Sequence, residues 1–136
     1  MNDRKNDLLK VRPEIPSAKL TPNMSNDERF QNQTIRPVIK LQNPLLIEVF
    51  RNYVNKHKGE FYELSVERKL LFIENALQKD IKFRNSLKGM IIGQFTVDEY
   101  LIYIQNSSSL NKRMMTIVIR RLQDQVQLFE KVAEVA

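Results

Sequence analysis

The chain has 136 residues, 42% of them hydrophobic and 28% charged, with a net charge of +6. That length suits one domain with a sizeable core. Three glycines are too few for a fold built on tight β-turns, and the lack of cysteine excludes disulfides, thiolate nucleophiles and cysteine metal sites.

No apolar run approaches the ~18 residues of a spanning helix, and the first residues lack the apolar core of a secretory signal. The expectation is a cytoplasmic protein without a membrane partner. Residues 1–24 hold Pro13, Pro16 and Pro22 among many charges and show no sustained periodicity. They read as a flexible N-terminal arm, whose apolar residues could instead pack it across the body or onto a second subunit. Residues 25–136 read as one helical bundle domain.

Ser25 and Glu28 have capping-box spacing, so a helix starts there, with Phe30, Thr34, Pro37 and Leu41 at helical intervals. Pro37 lacks the amide that would bond back to residue 33 and should kink or interrupt it. Asn43 and Pro44 read as a fresh N-cap and first-turn proline, although one bent helix fits as well as two. That segment turns Leu46, Val49, Phe50 and Tyr53 inward and stops at Gly59. Ser65 caps the next helix, striped by Val66, Leu70, Ile73, Leu77 and Ile81. Beyond Ile81 the inward set becomes Phe83, Leu87, Met90 and Ile91, a quarter turn away, so the helix either breaks near residues 79–82 or meets a new neighbour. It ends at Gly93. Thr96 and Glu99 form a second capping box after Phe95, and the run Asn106 to Ser109 separates that short helix from a long last one starting near Ser108.

The last helix organises the rest. From Leu110 to Val132 its apolar residues cover an arc of about 200°, too wide for one neighbour, so at least two helices should pack on it. The predicted fold is therefore all-α, a single compact bundle of about five or six helices with the arm attached. Arg121 falls inside the apolar arc, between Leu110 and Met114 on the wheel. Its guanidinium keeps its charge, so it must be paired, reach solvent along its stem, or line a functional pocket. The expected outcome is an ion pair with Asp80, Glu74 or Asp98, each beside an inward stripe; the alternative is an anion-binding site.

Other candidate chemistry is thin. His57 is the only histidine, which excludes sites needing several imidazoles, and four residues after Tyr53 at a helix end it reads as a capping residue. Glu60 and Glu63 have ordinary loop spacing. Gly89 and Gly93 form no phosphate loop, and Met114 and Met115 read as core filling. No catalytic, metal or cofactor motif is legible.

The segments FQNQTIRPVIKLQNPLL, KDIKFRNSLKGMIIGQFTVDEYL and IQNSSSLNKRMM resemble a group of short bacterial helical proteins that carry the loose name glyoxalase. The metal-dependent glyoxalase fold is built from βαβββ units whose strands bear His, Glu or Gln ligands. Nothing here reads as such strands, and the resemblance transfers no catalytic residue.

Three functions follow as expectations. The first is a helical interaction module, a homo-oligomer or binder of a helical protein partner through uncovered apolar arc on the last helix or through the arm. The second is nucleic-acid binding through Lys79, Lys82, Arg84, Lys88, Lys112, Arg113 and Arg120, with residues 96–122 imitating a helix-turn-helix pair. The third, an enzyme using His57 or the carboxylates, has the least behind it.

Overall fold

The structure, a computed structural model, describes residues 3–130, which are all-helical without a strand. Helix α1 spans Arg4–Val11, α2 Asn26–Phe30, and α3 Arg36–Lys56, with a π-helical turn at Gln31–Ile35 joining the last two without a break. Then come α4 Val66–Lys79, α5 Ile81–Ile92, α6 Val97–Tyr103 and α7 Ser107–Asp124. Counted as one bent rod, α2 and α3 leave a body of five rods with α1 as a sixth. No described helix is long and apolar enough to cross a membrane.

The helix starts follow from side-chain caps. Ser25 accepts from the Glu28 amide at 3.1 Å, Ser65 from the Arg68 amide at 3.3 Å, and Thr96 from the Glu99 amide at 3.1 Å. Asp80 supplies the break between α4 and α5, accepting from the Phe83 amide at 3.2 Å. That break produces the quarter-turn shift of the inward stripe. Val66 and Ile81, placed on the stripe by periodicity, stand at its ends and are 61% exposed each.

Asn43 and Pro44 do not open a new helix. Asn43 instead exchanges two amide hydrogen bonds with Gln125, at 2.9 and 2.8 Å, tying the middle of α3 to the end of α7. Pro44 sits inside α3. Pro37 is accommodated because the wider π turn lies immediately before it and places it within the first turn of α3, where a missing amide costs little.

Helix α7 is the centre of the bundle. It packs against α3, α4, α5 and the π turn, which together bury Leu110, Met114, Met115, Val118, Ile119 and Leu122. Each such side chain contributes about 1.5–3 kcal/mol of burial. The described part of the expected arc is therefore covered within the chain except at Leu128, which is 45% exposed; Val132 lies outside the described residues. After α7 the chain turns back and inserts Phe129 against Phe50, with ring centroids 4.9 Å apart. Phe50 is fully buried and also meets Phe61, Phe72 and Phe83 at 5.5, 6.3 and 6.4 Å.

Residues 3–24 lie across the body. Lys5 pairs with Asp98 at 2.8 Å, and Lys40 donates to the Glu14 carbonyl at 2.9 Å. The strongest tie is Arg12, which holds Glu99 in a two-pronged contact of 2.6 and 3.0 Å with side chains only 7% and 15% exposed. Glu99 also accepts from the Thr96 amide at 2.8 Å and from the Thr34 hydroxyl at 2.9 Å. Burial alone would raise its pKa; the bonds from Arg12, Thr96 and Thr34 outweigh that and lower it.

A carboxyl whose folded pKa is depressed stabilises the fold above its unfolded value, and that contribution disappears as pH falls through the folded one. Glu99→Gln should therefore cost on the order of 3 to 5 kcal/mol in urea unfolding at pH 7, because Arg12 is left buried without a counter-charge. The gap between wild type and variant should close as pH drops below about 4.3. A variant within 1 kcal/mol of wild type at pH 7 would show that the arm is held by something else.

Candidate functional site

The π turn and the first turn of α7 stand side by side, and between them α3, α7 and the arm enclose a cleft of about 620 Å³. Its walls carry Arg36, Lys112, Arg113, Arg120 and Arg121, with Asp124 the one carboxylate, and Ile15 and Ser17 of the arm close one side. Two of the guanidiniums are steered by neutral amides. Arg113 donates to the Gln31 side-chain carbonyl at 3.0 Å, and Arg36 donates through Nε to Asn32 at 3.1 Å. An amide acceptor fixes the direction of a guanidinium without cancelling its charge. The site is thus oriented and still positive.

Arg121 lies in this cleft, partly buried, with no hydrogen bond or ion pair from its side chain to any described residue. Its pKa is lowered, first by burial and then by the charge of Arg36, against which Asp124 acts only in part. The expected ion pair is not formed: none of the three proposed partners reaches the walls of this cleft. Asp80 caps α5 and accepts from the Tyr53 hydroxyl at 2.9 Å; Asp98 holds Lys5; Glu74 faces Gln78 one turn on at 3.5 Å. The remaining outcomes for a guanidinium on an apolar arc converge here, since its stem crosses the core edge and its head lines a pocket.

A second cleft, of about 490 Å³, opens on the other side of the same α7 surface. It is lined by Arg84 and Lys88 of α5 and shares Lys112 and Thr116 with the first. No carboxylate lines it. At the α4–α5 corner, Arg84 donates to the Gln78 carbonyl at 3.2 Å, and a third, shallower cleft of about 590 Å³ between α3, α4 and α5 contains Lys79, Lys82, Asp80 and His57. The seven basic residues singled out in the sequence therefore line three depressions, the first two joined through Lys112 and Thr116 and the third sharing no wall residue with them. Arg36 and Arg121 extend the series at one end.

The helix-turn-helix arrangement of residues 96–122 does not describe these contacts. A recognition helix meets base edges with its N-terminal turn. The N-terminal turn of α7 is occupied by Asp27, whose carboxylate accepts from Asn106 at 2.9 and 2.8 Å and from Ser109 at 2.7 Å. Those bonds from Ser109 and Asn106 also hold the Asp27 carboxyl below its usual range. A fixed negative charge there repels phosphate. The free cations lie further along α7 and on its neighbours.

Sequence reasoning missed Arg36, which no periodicity marks because the π turn changes the helical register before it. It also missed the ring contact of His57 with Tyr53, centroids 4.2 Å apart, although their i, i+4 spacing was the available signal. Among the described residues no group of three or more His, Asp or Glu is placed to hold a metal ion. Comparison of the chain with protein-family models, curated proteins and solved structures finds no match to any of them.

An uncompensated Arg121 predicts a stability response opposite to that of a buried ion pair. Arg121→Met keeps the apolar stem and removes a charge that burial and Arg36 both disfavour, so it should be neutral or stabilising by up to about 1 kcal/mol. Inorganic phosphate should raise the Tm of wild type and do so less for the variant. A loss of 3 kcal/mol or more in Arg121→Met would mean that a partner does hold the guanidinium.

Proposed function

We propose that this protein binds nucleic acid through the sugar–phosphate backbone, laid along the basic track from Arg36 and Arg121 across Lys112 to Arg84 and Lys82. The single observation that carries the reading is the gathering of cations on three clefts, two of them joined through Lys112 and Thr116, with Asp124 and Asp80 as the carboxylates in their walls. A structural salt-bridge network would interleave the two signs. A small phosphorylated ligand would need one cleft and leave the other two unexplained.

Phosphate contacts position a ligand without reading sequence, and each neutralised phosphate releases condensed counterions. The arrangement therefore implies affinity that depends strongly on salt and weakly on sequence. Side chains of arginine suit the partly buried end of the track, where a flat, weakly hydrated guanidinium offers paired donors to phosphate oxygens. Lysines occupy the more open end.

A second reading rests on a different surface. Helix α6 leaves Val97, Leu101 and the following Ile104 exposed at 68%, 52% and 50%, at positions i, i+4 and i+7 of one face. The covered arc of α7 removes the original reason for expecting self-association through that helix. This short apolar face supplies another, with a second copy of the chain as the occupant.

Binding should weaken between 50 and 200 mM salt by about 300-fold for a single-stranded oligonucleotide and about 2,000-fold for a duplex if some six phosphates are contacted. Arg113→Glu with Arg120→Glu should abolish most of it and flatten the salt slope, while Lys19→Glu on the arm should not. Affinity unchanged in the double variant would reject the track. For the second reading, sedimentation should give a dimer that Leu101→Lys converts to a monomer, and a concentration-independent wild-type monomer would reject it.

A further inference from the structure

The shallow third cleft contains an aromatic stack that no structural role fully uses. Phe83 is buried, Tyr53 lies on it with centroids 4.0 Å apart and planes 23° from parallel, and His57 lies on Tyr53 at 4.2 Å and 34°. The stack thus rises from the core to an exposed imidazole. Its lower members are pinned: the Tyr53 hydroxyl donates to Asp80 at 2.9 Å, and Asp80 is itself fixed by capping α5. The top ring is oriented as well, because His57 Nδ1 donates to the Tyr53 carbonyl at 2.8 Å. No described ring covers its outer face.

A helix-capping role accounts for the Nδ1 bond and for the position of His57 after Lys56. It does not account for a ring laid over Tyr53 at 34° with no described ring on its outer face, nor for what surrounds it. Lys79 and Lys82 line the same cleft, and neither side chain has an ion pair or hydrogen bond to a described residue. Ile81, 61% exposed, stands between them in sequence, and Asn75 adds an amide that can both donate and accept. A flat aromatic face beside two free cations and one amide, with the one carboxylate of the cleft, Asp80, turned to the Tyr53 hydroxyl and the Phe83 amide, is the equipment for holding an unpaired base by its π surface while its flanking phosphates meet ammonium groups.

We infer that His57, backed by Tyr53 and Phe83, is a stacking platform for an unpaired nucleobase, so that the ligand of the track is single-stranded nucleic acid. This rests on the backbone-binding reading above and adds strand state to it. Duplex DNA keeps its bases stacked inside and cannot offer one to the platform without opening. Stacking is tolerant of base identity, so the preference is for single strands and not for a sequence.

The test uses the full chain with three ligands of equal length at one salt concentration: oligothymidylate, the same backbone made abasic, and a duplex. Oligothymidylate should bind at least about 5-fold more tightly than the abasic strand, the lower end of what one stacked base contributes. His57→Ala should erase that margin, leave the salt slope unchanged, lower the Tm by a few degrees at most, and have its binding rescued by His57→Trp. The chain has one histidine, so its ring protons are unique in the NMR spectrum and should move upfield on adding oligothymidylate and not on adding the abasic strand. Equal binding of the first two ligands, with no effect of His57→Ala, overturns the platform and leaves the backbone reading intact. Failure of all three ligands to bind overturns both.

Discussion

The Glu99 carboxylate is the constraint on which the basic cleft depends. It closes the first turn of α6 through Thr96, receives the arm through Arg12, and receives the π turn through Thr34. The arm and the π turn are also two walls of the cleft, supplying Ile15 and Ser17 on one side and Gln31 with the start of α3 on the other. One buried carboxylate therefore sets the separation of elements that bear no charge pairing to each other. The geometry of a site made of cations is fixed by an anion that takes no part in it.

This division of roles has an electrostatic basis. A cluster of guanidiniums resists assembly: the Arg121 pKa is lowered first by burial and then by the charge of Arg36. Direct pairing with carboxylates would relieve the repulsion and also consume the positive potential. The chain instead orients Arg36 and Arg113 with the neutral amides of Asn32 and Gln31 and secures the surrounding backbone with the distant Arg12–Glu99 pair. Desolvated pairing and open charge are kept in separate places.

Local chemistry was legible in the sequence wherever one residue type decides the outcome. The caps at Ser25, Ser65 and Thr96 were readable because a hydroxyl three residues before an amide has few other uses at a helix start. Asn43 misled for the same reason: an asparagine before a proline is a cap in isolation, and only the arrival of Gln125 from the far end of the chain gives it a better partner. The break at Asp80 was visible as a shifted stripe, although its cause, a carboxylate serving α5 and Tyr53 together, was not. The π turn left no signal, since periodicity assumes the register that such a turn alters.

The site was legible as a set of residues and not as a surface. Lys79, Lys82, Arg84, Lys88, Lys112, Arg113 and Arg120 could be named from composition and wheel position, yet their adjacency depends on the α4–α5 corner and on α7 running between two clefts. Arg121 was the more informative residue. A permanently charged group on an apolar arc restricts the answer to a partner, an escape to solvent, or a pocket, and none of the partners proposed for it reaches the walls of its cleft. What remains is a cation held at the edge of the core among others of its sign. Such an arrangement lowers the stability of the free protein by the repulsion it stores. It also ensures that an arriving phosphate is worth more there than on an open surface, because it removes that repulsion as well as making its own contacts.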